Sequence, residues 1–484
     1  MKAVLTYLGR MVSLSPAPLG KQFEQACVVT RMIQLQPTAE TGWKQVRLSE
    51  NHTLFWYDTQ PDGAPVFVTY SGYGYRIHAE LTKQGHEVEV RDFTPCGLPD
   101  PELTRLQGIS WRGSQAEVVC KLLANRCGVI SCPTGWGKSF IMRMIVRAYP
   151  NSLIGITVPS TDVAKEIYEA LVPDLGYSVG IVGGGKHKQR RVTVAVTHSL
   201  LKLDPNINLL MTDECHAVLT PNFIDMFNRF PRAKFQAFTA TPKGRSDGAD
   251  GFMEALFGPV IHHVPYQEAV ESGNICQLRY RVYESKIGPD VTGMTNKVAK
   301  DRVAVWRNKA RNDLIAHAVR RAEITEAPDP QILIMVEKTE HAFLLQQVLP
   351  EFVVVTGELD DDKEAQLRRV GSMQSTQSAP SKDDCARMKK EFSAGTLRKV
   401  IATYKWSKGV NFLGLDVLVR AEGTSTEIAS GQVPGRLSRK GHDGKKEYGL
   451  LIDFNDVFST DMKARSANRF KVYKRNGWIY EVGS

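Results

Sequence analysis

Short runs of aromatic and β-branched residues, each closed by turn-forming residues, mark the first hundred positions. Residues 53–58 (Thr-Leu-Phe-Trp-Tyr-Asp) and 66–70 (Val-Phe-Val-Thr-Tyr) flank Gln-Pro-Asp-Gly at 60–63, a spacing that predicts a β-hairpin. The segment 76–84 suits a short helix, and 88–92 alternates as a further strand. The Pro-rich stretch 94–101 continues neither element and reads as a linker. A small α+β domain over 1–105 is expected.

From Gly108 the pattern changes to buried strand, loop and helix in repetition. Short apolar strands are predicted at 128–132, 153–158, 192–196, 209–212 and 235–238, with helices at 139–148 and 161–171. Buried strands alternating with helices argue for a parallel sheet covered on both faces. A second series begins at 332–336 and continues at 352–355, 400–403, 417–419 and 449–452. The prediction is an α/β chain with two tandem parallel-sheet domains, 106–283 and 284–484, behind the N-terminal domain. A connection is expected around 266–299, and the polar run 371–381 reads as a flexible loop.

Composition narrows the partner more than the fold. The 484 residues carry 62 Lys+Arg against 52 Asp+Glu, a formal net charge of +10, which favours a polyanionic partner. No apolar run approaches the ~18 residues of a spanning helix, and residues 1–20 lack the long apolar core of a signal peptide. The expectation is a cytoplasmic protein without a membrane partner. The eight cysteines form no C-x-x-C pair and no zinc-finger spacing; scattered thiols suit a reducing compartment.

The strongest chemical signal is Cys-Pro-Thr-Gly-Trp-Gly-Lys-Ser at 132–139, between a predicted strand and a predicted helix, the setting of a phosphate-binding loop. Gly135 and Gly137 let successive N–H groups turn toward phosphate oxygens, with Pro133, Thr134 and Trp136 completing the loop. Lys138 supplies charge for the β/γ phosphates, and the Ser139 hydroxyl suits Mg²⁺. The general pattern opens on Gly where this chain has Cys132. Asp213 and Glu214 follow the strand 209–212, where a carboxylate at a strand's C-terminal end can hold Mg²⁺ and its neighbour can deprotonate an attacking water. ATP and Mg²⁺ are the expected cofactors. A basic run at 186–191 and the segment 462–477, with six basic residues interleaved with Phe470 and Tyr473, suit a nucleic-acid surface or, for the aromatics, a packed helix. Trp56, Tyr57, Tyr70, Tyr73 and Tyr75 are better suited to cross-strand packing than to base stacking.

Taken in order, these segments resemble the DExH-type superfamily-2 helicases and translocases, over about 109–478. Arg112 and Gln115 look like that family's adenine-recognition element. Segments 157–161 and 196–200 look like its first nucleic-acid contacts, which implies roles for Pro159, Ser160 and Thr197. Phe-Thr-Ala-Thr-Pro at 238–242 matches its coupling motif through Thr239 and Thr241, with His216 in the same role. Lys338 sits where the family has another strand-end contact. Ser-Lys-Gly-Val-Asn at 407–411 resembles the fifth motif, implying Lys408 on nucleic acid and Gly409 on ATP, although many members have Asp where this chain has Asn411. Gln432, Arg436 and Arg439 match Q-x-x-G-R-x-x-R.

The resemblance implies two RecA-like domains, with Arg436 and Arg439 from the second reaching ATP bound to the first. Within the superfamily the chain looks similar to phage UvsW-type repair and recombination helicases, through the small N-terminal domain, the segment 306–312 and the Arg469…Tyr473 ending. That implies an ATP-dependent DNA helicase or translocase acting on branched or duplex DNA in replication, recombination and repair, in a bacterial host cytoplasm if phage-encoded. The alternatives are an RNA helicase, a double-strand translocase that does not separate strands, and a non-catalytic nucleic-acid-binding scaffold.

Overall fold

A computed structural model describes residues 2–16, 21–35, 46–94, 97–242, 248–326, 328–357, 359–403, 406, 412, 414–424, 434–441 and 446–483. The chain divides into two compact units, 1–133 with 137–265, and 134–136 with 266–484.

In the first unit the N-terminal residues build a five-stranded sheet in the order Phe55–Thr59, Pro65–Tyr70, Met11–Ser15, Lys2–Leu8, Glu87–Asp92. Its strands pair antiparallel except Lys2–Leu8 with Glu87–Asp92. The predicted hairpin is present, with Tyr57 opposite Phe67, and the rings of Phe55 and Phe67 stack at 5.4 Å. Cross-strand packing therefore occupies these aromatics. Tyr73 is buried, whereas Trp56 and Tyr57 keep exposed edges. A separate antiparallel pair joins Val28–Leu35 to Val46–Thr53.

This sheet rests on the α/β part of the same unit through one continuous apolar core, in which Leu5, Phe67 and Tyr73 join Phe252, Leu256 and Phe257. Gly72 permits the approach, because a Cβ there would stand 1.8 Å from the Glu254 carbonyl oxygen. The α/β part carries eight strands in the order Lys186–Lys188, Val179–Gly183, Val192–Val196, Ile154–Val158, Leu209–Thr212, Lys234–Thr239, Cys127–Ser131, Val260–His263. All pair in parallel except Lys186–Lys188, and the five central strands predicted from apolar runs are present.

The second unit holds a seven-stranded, wholly parallel sheet in the order Val353–Val355, Lys399–Thr403, Ile332–Val336, Val417–Arg420, Tyr448–Asp456, Gln277–Ser285, Ile479–Val482. The stretch read as a connection thus contains a nine-residue strand, Gln277–Ser285, which runs across the expected 283/284 boundary and lies between two others. Leu278, Tyr280 and Val282 point to one buried face while Arg279 and Arg281 interrupt the apolar run.

The polar run 371–381 is not a loose loop. Met373 is buried in the second core, and Gln377 Nε2 donates to the Phe343 carbonyl and to Gln346 Oε1, both at 2.9 Å. Of the helix Thr460–Arg475, Arg469 and Tyr473 are wholly buried. They serve packing and not a nucleic-acid surface, because Arg469 clasps the buried Asp453 carboxylate at 2.9 Å to each oxygen and Tyr473 OH donates to the same group at 2.6 Å. Arg311 is likewise buried against Asp456, at 2.8 Å.

Candidate nucleotide-binding site

The strand Cys127–Ser131 belongs to the sheet of the first unit, and six residues separate it from the helix Lys138–Ala148. Between them Gly135 and Gly137 adopt φ of +89° and +117°. L-residues rarely adopt such backbone, and it is what turns a strand into a phosphate-cradling loop at a helix N-terminus. Cys132 is buried and its amide donates to the Thr239 carbonyl at 3.0 Å, so the small side chain at the head of the loop faces the core. Burial pushes its thiol up to about 12, which keeps it neutral and inert.

Lys138 reaches the carboxylates at the end of the strand Leu209–Thr212. Its Nζ lies 3.2 Å from Asp213 Oδ1 and hydrogen-bonds Glu214 Oε1. Burial opposes the charge on Lys138, but the two carboxylates outweigh it and hold the ammonium protonated above its ordinary range. Burial likewise raises the Asp213 carboxyl, against the pull of Lys138. Glu214 occupies a left-handed conformation, φ +48°, uncommon for a residue with a Cβ. That bend carries the chain from Asp213 into the turn Cys215–Val218.

A chain of close polar groups leaves this cluster. His216 Nδ1 is 3.4 Å from Glu214 Oε2 and 3.0 Å from Thr239 Oγ1. Thr239 Oγ1 in turn accepts from the Thr241 amide at 3.0 Å. Of the expected coupling residues, His216 therefore adjoins the Glu214 carboxylate, with Thr239 next to His216 and Thr241 next to Thr239. On the other side Gln115 is buried, accepts from the Arg112 amide at 3.1 Å, and presents Nε2 2.8 Å from where a Cβ on Gly137 would stand. Ser139 is exposed at the helix start. This donor set fits a nucleotide and its Mg²⁺: a basic loop with free helix-end amides, a hydroxyl, and two carboxylates already gathered around one lysine.

The remaining candidates are placed as follows. Pro159 and Ser160 follow the strand Ile154–Val158, and Ser160 Oγ accepts from the Val163 amide at 3.4 Å as a helix cap. Thr197 is buried with its hydroxyl donating to the Val158 carbonyl at 2.8 Å. Lys338 caps the helix Thr339–Val348 in the second unit with its side chain about half exposed. Arg436 opens the single turn Arg436–Ser438 and Arg439 closes it, so the two lie three apart on one tight turn. Lys408, Gly409, Asn411 and Gln432 lie outside the described residues. The basic run at 186–191 forms the exposed edge strand Lys186–Lys188.

Two features escaped sequence reasoning. Thr157 and Thr212 join their hydroxyls at 3.1 Å beneath the site, one at each of two adjacent strand ends, and the Asp213 amide donates to the Thr157 carbonyl at 2.8 Å. Trp111 packs edge-on against Phe140, centroids 5.8 Å apart. The available signal was a threonine next to last in one apolar strand and last in another, and an aromatic directly before Arg112.

The SWI2/SNF2 ATPase family matches residues 157–301. The chain is 24% identical to the DNA 3'-5' translocase XPB2 of Sulfurisphaera tokodaii, over 79% of this chain and 89% of that one. It is 23% identical to the ATP-dependent DNA helicase uvsW of Enterobacteria phage T4, over 76% of this chain and 72% of that one. Among solved structures, Saccharomyces cerevisiae Dbp5 bound to RNA and ADP BeF3 superposes with a TM-score of 0.50 at 14% identity, over 78% of this chain and 92% of that one. That likeness shows the fold, an α/β arrangement built on parallel sheets. Together with the site, these likenesses support an ATPase of the helicase and translocase type.

Proposed function

We propose that the chain hydrolyses ATP to unwind or remodel branched or duplex DNA. The observation that carries this reading is Lys138 held between Asp213 and Glu214 at the mouth of a glycine-turned loop, with His216 linking that cluster to Thr239. In the reaction Lys138 turns from the carboxylates to the β/γ phosphates, Ser139 and Asp213 would hold Mg²⁺, and Glu214 takes a proton from the attacking water. Bound Mg²⁺ supplies charge neutralisation at the phosphate oxygens.

Arg112 and Gln115 hold the adenine side, with Pro133, Thr134, Gly135, Trp136, Gly137 and Gly409 around the phosphates. Arg436 and Arg439 of the second unit stabilise the charge spreading over the γ-phosphoryl group. His216, Thr239, Thr241 and Gln432 transmit the nucleotide state to a nucleic-acid surface that includes Pro159, Ser160, Thr197, Lys338 and Lys408. DNA is favoured over RNA because the similar curated proteins are a DNA translocase and a DNA helicase. The N-terminal sheet selects the substrate structure, and the protein works in the cytoplasm.

ATP turnover and strand displacement measured over forks, four-way junctions, blunt duplexes and RNA hybrids test the reading. Stimulation by branched or duplex DNA is expected. Stimulation by RNA alone, or by no polynucleotide, refutes it.

A further inference from the structure

Four arginines of the described residues are buried: Arg10, Arg311, Arg420 and Arg469. Three of them turn Nε onto a carboxylate, Arg311 to Asp456 at 2.8 Å, Arg420 to Glu422 at 2.6 Å and Arg469 to Asp453 at 2.9 Å. That is how a buried guanidinium is normally compensated, since an unpaired ion away from water costs several kcal/mol. Arg10 is the exception. Its guanidinium lies over the Phe235 ring at 3.8 Å, and its Nε and Nη2 have no acceptor among the described residues. Burial lowers its pKa to about 10, with no carboxylate acting against the shift, yet it stays charged at neutral pH.

Arg10 also lines a cleft of about 320 Å³ where the N-terminal sheet meets the strand starts at Cys127 and Lys234. Parallel strands begin here, so the cleft sits at the opposite end of the sheet from Lys138, Asp213 and Glu214, which follow strand C-termini. The volume is at the small end for a ligand pocket. Its wall mixes the polar residues Ser71 and Thr94 with the apolar Leu98, Pro99 and Pro101. The two other cations of the wall are already engaged: Arg126 with Asp92, and Lys234 with the Leu123 carbonyl at 2.8 Å.

We propose that this cleft is a binding site for a small organic monocarboxylate, whose carboxylate takes the side-on Nε/Nη2 fork of Arg10 after a small rotation of the guanidinium toward the cleft. Adjacent Nε and Nη N–H groups form the pair with which arginine clasps a carboxylate in two parallel bonds. One unmatched positive charge calls for one negative charge, and Asp92 and Asp100 in the wall disfavour a multiply charged anion such as phosphate. The apolar wall accepts a hydrocarbon or aromatic body.

Calorimetric titration of the full chain with sodium benzoate, sodium hexanoate and inorganic phosphate tests this. Benzoate or hexanoate binding is expected, with phosphate at least tenfold weaker. Arg10→Met weakens carboxylate binding at least tenfold. Because that variant touches the core, Ala124→Trp provides an independent check: Ala124 is an exposed residue of the cleft wall, and the larger ring closes the cleft while leaving Arg10 and ATP turnover untouched. Absence of carboxylate binding to the wild type, equal binding by Ala124→Trp, or phosphate binding as tightly as benzoate overturns the proposal. So does an aspartate-bearing peptide that binds where benzoate does not, since it makes the occupant a protein segment.

Discussion

Replacing Arg469 by Met separates a structural role of the C-terminal helix from a nucleic-acid role. The substitution keeps an unbranched side chain of comparable reach and removes the guanidinium. Lost with it are the paired bonds to Asp453, both 2.9 Å, and the bond from Nη2 to the Phe454 carbonyl at 2.8 Å. Asp453 is then left buried with Tyr473 OH and the Phe454 amide as hydrogen-bond donors, and Arg420 as the remaining nearby charge. Removing one partner of a buried ion pair costs about 3–5 kcal/mol. For a unit of this size each kcal/mol moves the midpoint by about 2–4 °C, so a fall of roughly 6–20 °C is expected.

Thermal unfolding reads the first number, and DNA affinity against salt below the transition reads the second. Each phosphate contact contributes about 0.9 to the slope of log K against log salt. Arg469 is inaccessible to phosphate, so the slope should equal that of the wild type, whereas Ala at the exposed Lys471 or Lys474 leaves the melting midpoint unchanged. An Arg469→Met protein that melts like the wild type and shows a shallower salt slope refutes the reasoning.

Three further outcomes follow from the same geometry. Lys138→Ala should reduce ATP turnover by about 10²–10³ or more with the far-ultraviolet circular dichroism preserved, because it removes the charge aimed at the phosphates. Gly137→Ala should weaken ATP binding, since φ of +117° strains a residue with a Cβ by about 1–3 kcal/mol, and equilibrium titration with a fluorescent ATP analogue measures it. Burial works against the Asp453 charge, but Arg469 and Arg420 outweigh it and hold the carboxyl below the ordinary 3.8. A depressed folded value means stabilisation present above that ordinary value and lost as pH falls through the folded one. The acid-unfolding midpoint of Arg469→Met should therefore lie at higher pH than that of the wild type.

The two parallel sheets were legible because their central strands are short, mostly apolar runs, such as 332–336 and 192–196, buried on both faces. The sharp turn between strand and helix at 132–138 was legible because Gly135 and Gly137 are demanded by backbone conformation. Gln277–Ser285 was missed because arginines interrupt a period-two pattern that a search for continuous apolar runs passes over. The segment 371–381 was misread for a related reason: low complexity describes composition, and one buried Met373 with one well-bonded Gln377 suffices to pin it. Arg469 and Tyr473 look like a basic, aromatic surface in sequence, and only the fold reveals Asp453 opposite them. The Thr157–Thr212 pair depends on two strands being neighbours, which no local pattern encodes.

The central proposal is that Arg436 stabilises the charge that spreads over the γ-phosphoryl group of ATP. The most direct measurement is Arg436→Ala assayed for binding of a fluorescent ATP analogue and, in the same preparation, for DNA-stimulated hydrolysis. The account predicts nucleotide affinity within a few-fold of wild type and hydrolysis lower by about 10³ or more. Hydrolysis unchanged by the substitution would contradict it.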